Sequence, residues 1–219
     1  MPRILFTKTD DAIWMSHLDL MRLFQRAFKR AGFALTHTHG YNPRPSVSIA
    51  LPLSVGVESV CELLDFELEG ERVPADEITR RLNEALVPDV KVLQAYETGS
   101  KLKELAYLRC ALTMEYDAGV PNGSMEELAA LFGRESLFVE KKGKNGIVQQ
   151  DIIPMIRRFS FAQLDGETLV MDCVICCQNP TLNPNQIVAA IQNELPSFAP
   201  DFVRCRRLEI MNTQEMQFR

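Results

Sequence analysis

Side chains suited to binding a negatively charged ligand are concentrated between residues 22 and 44. Four basic residues recur at i, i+4, i+7 and i+8, the spacing of one helix face: Arg22, Arg26, Lys29 and Arg30. A proline-rich turn, Gly40–Pro45, then supplies Tyr41, Asn42 and Arg44. Basic groups neutralise phosphates, and an aromatic ring can stack on an unpaired base. The pattern is typical of an RNA-binding surface, and the alternative is a helix face that only contacts solvent.

A histidine stands where the same helix should begin. His17 shares the helical position of Met21, Phe24 and Phe28, so we expect it to face the sheet and not bulk water. A neutral imidazole there could act as an acid or a base, because a helix N-terminus disfavours the protonated form. The alternative is a histidine whose hydrogen bond fixes the start of the helix.

Polar residues around His17 have both a structural and a binding interpretation. Ser16 is expected to cap the helix, and Asp19, three residues later, completes a pattern close to a capping box. In the binding interpretation, Ser16, His17 and Asp19 shape a pocket together with Asn42 of the turn.

The sequence predicts no metal ligands. His37 and His39 would share a strand face, but no cysteine or carboxylate completes a recognised spacing with them. Cys173 and Cys176 form a CxxC within an apolar strand, where they would point to opposite faces. Leu169 occupies the place of the first cysteine of a CxxxCxxC cluster motif, so we expect no iron–sulfur cluster on this chain.

Composition places the chain among ordinary globular proteins. It has 219 residues, a net charge of −5 and 46% hydrophobic residues, which excludes disordered and collagen-like classes. No apolar run approaches the length of a membrane span, and the N-terminus lacks a signal peptide, so a cytoplasmic protein with reduced cysteines is expected. Charge is uneven: residues 1–45 carry seven Lys/Arg against three Asp/Glu, and residues 46–99 carry four against eleven. A basic face on an acidic protein is therefore expected.

Apolar periodicity predicts an α+β fold of two tandem ferredoxin-like units. The first, residues 1–99, reads β-α-β-β-α-β and holds the basic helix and the turn. The second, residues 100–219, repeats this order without repeating the residues. Further expectations are a helix capped by Ser124, a basic loop over residues 141–146 and an unassigned stretch over residues 151–161.

Three extended pieces lie between the first two helices, where the fold needs two strands. If residues 34–38 form the second strand, the turn lies at the same sheet edge as the N-terminus of the basic helix. If residues 46–51 form it, the turn lies nearer the C-terminus of that helix. The sequence leaves both arrangements open.

Several runs of residues carry a family resemblance: Phe6–Thr9 (FTKT), Ser16–Arg22 (SHLDLMR), Gly40–Pro45 (GYNPRP) and Leu51–Ser59 (LPLSVGVES). In these runs the chain resembles a bacterial family of unknown function whose members are encoded beside, or fused to the end of, a radical SAM protein. Tyr41, Arg44 and His39 stand where members often carry Phe, His and Gln. Because a required metal ligand would not be exchanged for Gln or Arg, these differences further disfavour a metal site at these positions.

The resemblance implies a partner and no demonstrated activity. The radical SAM protein would carry the iron–sulfur cluster and S-adenosylmethionine, and this chain would supply recognition. Paired ferredoxin-like units with a basic first helix are also similar to the RNA-processing RAMP proteins of CRISPR systems, which is a likeness of fold.

The leading hypothesis is therefore a substrate-recognition subunit for RNA or an RNA–protein assembly, which is not expected to be catalytic alone. One alternative is a metal-independent RNA endonuclease of RAMP type that uses His17 as acid or base. Another is a pure protein–protein adaptor that contacts its partner through the acidic residues 58–77.

Overall fold

A computed structural model describes residues 2–143 and 146–219 and divides into two compact units. Unit 1 comprises Met1–Glu104 and Gln217–Arg219, and unit 2 comprises Leu105–Met216. Within the described residues the fold is mixed α+β, with four α-helices and strands that pair antiparallel. No helix of this part of the chain is both long and apolar enough to cross a membrane.

Unit 1 packs two helices on one face of its strands. In chain order its elements are β1 (Pro2–Lys8), α1 (His17–Arg30), β2 (Val47–Ile49), β3 (Val57–Phe66), α2 (Ala75–Ala85) and β4 (Val90–Glu97). β1 lies between β4 and β3, and β2 pairs with β3. The core includes Phe6 of β1 and Phe24 of α1, whose ring centroids are 4.7 Å apart in an edge-to-face contact.

Unit 2 contains the other strands and helices. Its elements are β5 (Leu105–Glu115), α3 (Ser124–Phe132), β6 (Phe138–Gly143), β7 (Gly146–Asp151), β8 (Ile156–Gln163), β9 (Thr168–Cys176), α4 (Pro184–Glu194) and β10 (Phe202–Asn212). The strand order is β10-β5-β9-β8, and every neighbouring pair is antiparallel. β6 and β7 form a separate hairpin.

Local signals set the ends of α1 as expected. The Ser16 side chain accepts a hydrogen bond from the Asp19 backbone N–H, which satisfies one donor of the first turn. Gly32 follows the helix with φ +73°, a conformation that favours glycine. A Cβ at this position would lie 2.7 Å from an Arg81 guanidinium nitrogen, the end of a flexible side chain that can shift, so the positive φ is the main reason for glycine here.

Three expectations about the elements need correction or completion. Residues 34–38 make only isolated bridges, and Val47–Ile49 is the strand that pairs with β3. Gly123, at φ +80°, occupies the cap position of α3, and Ser124 is the first helical residue. The stretch 151–161 contains the end of β7, a short 3-10 helix and the start of β8. Lys144 and Asn145, from the basic loop, lie outside the described residues.

The cysteines lie mainly in the core of the strands. All six remain thiols, and Cys110 and Cys173 are fully buried on neighbouring strands with their Sγ atoms 3.5 Å apart. This contact raises the pKa of Cys110 well above its usual range, and burial raises that of Cys177 to about 11. Thiols held in the protonated form are poor nucleophiles and poor metal ligands.

The burial of Tyr116 in unit 2 can be tested by its dependence on pH. Its hydroxyl donates to the Phe198 carbonyl oxygen at 3.1 Å, and burial, with a smaller effect of Asp201, raises its pKa to about 12. Because the folded pKa exceeds the ordinary value of 10.0, this contribution to stability is complete below pH 10 and is lost as the pH rises towards 12. In a spectrophotometric titration of tyrosinate, Tyr116→Phe should remove the step near pH 12. Loss of a step near pH 10 instead would contradict the burial argument.

Candidate nucleic-acid interface

The exposed face of α1 is basic, as the spacing predicts. The opposite face buries four apolar residues, among them Leu20 and Phe24, against the strands of unit 1. The four basic side chains, Arg22, Arg26, Lys29 and Arg30, are all exposed. At 1.5 Å per residue they span about 12 Å along the helix. We call these four residues the basic row.

Members of the basic row differ in how they are held. Arg22 forms an ion pair with Asp19 at 3.3 Å, and Arg30 donates to the Ala85 carbonyl oxygen. The side chains of Arg26 and Lys29 have neither a hydrogen bond nor an ion pair with residues 2–143 or 146–219. The centre of the row therefore presents two positive charges that the described protein does not neutralise.

The polar residues at the start of α1 serve the helix itself. The Ser16 hydroxyl donates to the Asp19 carboxylate at 2.7 Å and accepts from the Asp19 backbone N–H at 3.2 Å. The hydrogen bond from the Ser16 hydroxyl is the main cause that lowers the pKa of the Asp19 carboxyl, and the positive charge of Arg22 lowers it further. Ser16 and Asp19 thus act as the predicted cap, and Asp19 also orients Arg22.

Removing the cap should affect stability more than binding. Ser16→Ala is expected to lower the free energy of unfolding by about 1 kcal/mol, because the Asp19 N–H loses its acceptor. Urea unfolding followed by circular dichroism measures the loss. Ser16→Thr keeps a hydroxyl that can accept from the Asp19 N–H and donate to its carboxylate, and should recover most of it. If both variants unfold like the wild type, the hydroxyl does not contribute as a cap.

His17 is half-buried at the first turn of α1. Its Nδ1 atom is inaccessible to solvent and has no hydrogen-bond partner within the described ranges. A hydrogen bond from this atom to fix the helix start, the structural alternative for His17, is therefore not observed.

The turn after α1 is closed by reciprocal hydrogen bonds between its two ends. The Thr38 N–H donates to the Arg44 carbonyl oxygen at 2.8 Å, and the Arg44 N–H donates to the Thr38 hydroxyl at 3.0 Å. Tyr41 at the tip is fully exposed, and Asn42 and Arg44 are also exposed. Beside the turn is a cavity of about 450 Å³, whose lining includes Thr38, Pro45–Ser48 and Asp65–Glu67.

Strand pairing decides at which end of α1 the turn lies. Val47 of β2 pairs with Phe66, and Arg3 near the start of β1 pairs with Asp65. β2 therefore begins beside the start of β1. Because α1 follows β1 and runs back along it, the C-terminus of α1 lies at this same end. The turn that precedes β2 is thus near Arg30 and not near His17.

The predicted site residues consequently form two groups and not one pocket. Ser16, His17, Asp19 and Arg22 lie at the N-terminal end of α1. Lys29 and Arg30 share the other end of unit 1 with Tyr41, Asn42 and Arg44, and Arg26 lies between the groups. A helix of 14 residues is about 21 Å long, so Asn42 does not complete a pocket with Ser16, His17 and Asp19.

Two exposed apolar residues near the basic row were not predicted as site residues. Trp14 ends a short 3-10 helix, Asp10–Trp14, and is 65% exposed; Leu18 in the first turn of α1 is 64% exposed. Leu18 lies one turn before Arg22, on the basic face. That spacing is the sequence signal that could have identified it.

Two further sequence expectations can be compared with the geometry. Within residues 2–143 and 146–219, no group of three or more His, Cys, Asp or Glu side chains is arranged to hold a metal ion. In the acidic stretch 58–77, Glu62 and Asp65 are buried, which removes them from any contact surface. The exposed carboxylates include Glu67, Glu69 and Glu71, which follow β3.

Together these features define a mixed α+β protein with a basic helix face. The chain belongs to a family of uncharacterised proteins conserved in bacteria, DUF2344, whose pattern matches residues 2–197. No curated protein matches it.

Solved structures give a likeness of fold. A chain of a Cbf5-Nop10-Gar1 complex is similar at a TM-score of 0.53 and 8% identity, over 95% of this chain and 48% of that one. This chain thus spans about half the length of that one. A protein of unknown function from Galdieria sulphuraria is 12% identical over 94% of this chain and 96% of its own, at a TM-score of 0.27, too low to support a structural argument.

Proposed function

We propose that this protein is an accessory recognition subunit that binds single-stranded RNA along α1. The observation that carries the proposal is the pair Arg26 and Lys29, exposed and without a neutralising group among the described residues. Phosphates supply the missing counter-charge, because basic side chains release condensed counterions when they bind a nucleic acid backbone. Tyr41, exposed at the C-terminal end of the row, supplies a ring on which a base can stack.

We further infer that each unit is ferredoxin-like. Leaving out the β6–β7 hairpin, both units run β-α-β-β-α-β along the chain. In both, the first strand lies between the fourth and the third, and the second strand pairs with the third. This order supports the tandem arrangement that the sequence predicts and the comparison with RAMP proteins at the level of fold.

We propose that the partner is a radical SAM protein and that the two proteins act in the cytoplasm. The support is the motif resemblance in β1, α1 and the turn, and a sequence without a CxxxCxxC motif. In this arrangement the partner holds the iron–sulfur cluster and S-adenosylmethionine, and the chain described here presents the substrate.

Equilibrium binding of the wild-type protein tests the proposal. A fluorescently labelled 12-nucleotide single-stranded RNA is titrated at 50, 100 and 200 mM salt. Four phosphate contacts predict a logarithmic salt slope between about −2 and −3, at about −0.7 per contact. A salt-independent affinity, or no binding at 50 mM salt, would reject RNA binding by the row. Affinity capture of proteins from the native cell at low salt tests the partner separately.

His17 favours a second candidate, a metal-independent RNA endonuclease. The observation is its half-buried ring at the first turn of α1, whose buried Nδ1 atom lacks a hydrogen-bond partner within the described ranges, so a substrate could reach the imidazole only at Nε2. In that case the wild type cleaves RNA in the presence of a chelator, and His17→Ala abolishes cleavage while RNA binding is retained. A wild-type protein that binds RNA without cleaving it removes this candidate.

A further inference from the structure

An exposed aromatic residue stands at the N-terminal end of the basic row, opposite the end that faces the turn. Trp14 precedes the first residue of α1 by three positions, and Leu18, four positions after Trp14 and in the first turn of α1, is also exposed. Burial in the core accounts for most large apolar side chains of unit 1, but not for this indole ring, which is 65% exposed. An indole exposed to this extent can contact a ligand that has an apolar face.

The backbone around Trp14 is fixed before any ligand arrives. The Gly56 N–H donates to the Ile13 carbonyl oxygen at 2.8 Å, and the buried Lys8 ammonium donates to the same oxygen at 3.0 Å. The Met15 N–H donates to the Ala12 carbonyl oxygen at 2.9 Å. One edge of the indole lies over Gly56, since a Cβ built there would be 3.8 Å from Cζ3. The backbone that carries the ring therefore loses little conformational freedom on binding.

Charge indicates which part of a nucleotide contacts the ring. Asp10 and Asp11, in the same 3-10 helix, are exposed, so a phosphate is repelled from Trp14. A base is neutral and stacks on an aromatic face regardless of its identity. Phosphates find their counter-charges further along, at Arg26 and Lys29.

We propose that Trp14 is a base-stacking platform and that the ligand is an unpaired RNA strand lying along α1 from Trp14 towards Tyr41. This inference rests on the proposed function and adds a second base contact to it, which an unpaired strand can make because bases in a duplex are already stacked on one another and present no free face. Arg22, Arg26 and Lys29 hold the backbone between the two aromatic ends.

Trp14 is the only tryptophan in the chain, so its fluorescence reports on this site alone. The wild type is titrated with a 12-nucleotide single-stranded RNA, a duplex of equal length and an abasic oligonucleotide with the same number of phosphates. Stacking predicts quenching by the single strand and none by the abasic oligonucleotide. Trp14→Ala should weaken binding of the single strand by between about fivefold and about a hundredfold, with an unchanged salt slope. Trp14→Phe should retain part of the affinity.

A matched control is Leu93→Ala on β4, which removes another exposed apolar side chain of unit 1 and should bind as the wild type does. Salt-dependent binding without a change in Trp14 fluorescence would overturn the stacking platform and leave the proposed function intact. Equal affinity for the abasic oligonucleotide would overturn it as well. Absence of binding to every oligonucleotide would reject the proposed function itself. Quenching by a partner protein in place of RNA would assign Trp14 to a protein contact.

Discussion

Asp65→Ala is expected to lower the free energy of unfolding by about 3–5 kcal/mol, because it leaves the charge of Arg3 buried without its partner. The Arg3 side chain is fully buried and Asp65 nearly so, and they face each other across β1 and β3. Arg3 donates from Nε to one Asp65 oxygen at 2.5 Å and from Nη2 to the other at 3.1 Å. Its Nη2 atom also donates to the Ser100 carbonyl oxygen at 3.0 Å, but a neutral carbonyl does not replace the lost negative charge, and its Nη1 atom has no hydrogen-bond partner within the described residues.

The matched control replaces both members of the ion pair. In Arg3→Met with Asp65→Leu neither charge of this pair remains in the core, and the double variant should be several kcal/mol more stable than Asp65→Ala alone. Chemical denaturation with two probes measures both values and tests two-state behaviour. A double variant that unfolds as easily as the single one would mean that Arg3 and Asp65 contribute mainly through their shape. The guanidinium also lies 5.1 Å from the centroid of the Phe218 ring, a contact that the double variant loses as well.

Parts of the fold that depend on neighbouring residues could be predicted from the sequence. The start of α1 follows from Ser16, its end from Gly32, and its buried face from apolar residues at helical spacing. The exposure of the basic row follows from the same periodicity. In each case the interacting groups lie within a few turns of one helix, so the sequence alone contains the necessary information.

Other features depend on residues that are distant in the chain. Arg3 and Asp65 are 62 positions apart, and nothing in the local pattern of either residue indicates the pair. The choice between residues 34–38 and residues 46–51 as the second strand depended on pairing with β3, which adds Val47–Ile49 to the sheet. For that reason the sequence could supply the residues of the turn but not the end of α1 near which they lie.

The exposure of Trp14 could not be predicted from the sequence for a different reason. A tryptophan is usually read as a core residue because its burial is strongly favourable. Trp14 lies outside the periodic pattern of α1, in a short 3-10 helix, so no spacing rule assigned it a face. Only the accessible surface in the structure shows that its ring is available to a ligand.

Arg26→Glu with Lys29→Glu is expected to weaken binding of single-stranded RNA on the order of 100-fold at low salt. Two phosphate contacts are lost, and two negative charges then face the backbone. The logarithmic salt slope should become shallower by about 1.4, at 0.7 per lost contact. These two residues are chosen because Arg22 is also engaged by Asp19, and Arg30 by the Ala85 carbonyl oxygen. Fluorescence anisotropy at three salt concentrations measures the affinity and the slope together.

A charge-matched variant separates the basic row from the net charge of the protein. Lys101→Glu with Lys103→Glu changes the charge by the same amount in the same unit, at exposed positions outside α1. At 100 and 200 mM salt, where the field of a surface charge is screened within about 10 Å or less, this variant should retain most of the affinity and the full salt slope. Equal losses in the two double variants would show that RNA responds to overall charge, and the interface would then not be α1. Circular dichroism checks that both variants keep the helix content of the wild type. If they do, a loss of affinity confined to the α1 variant places the phosphates on Arg26 and Lys29.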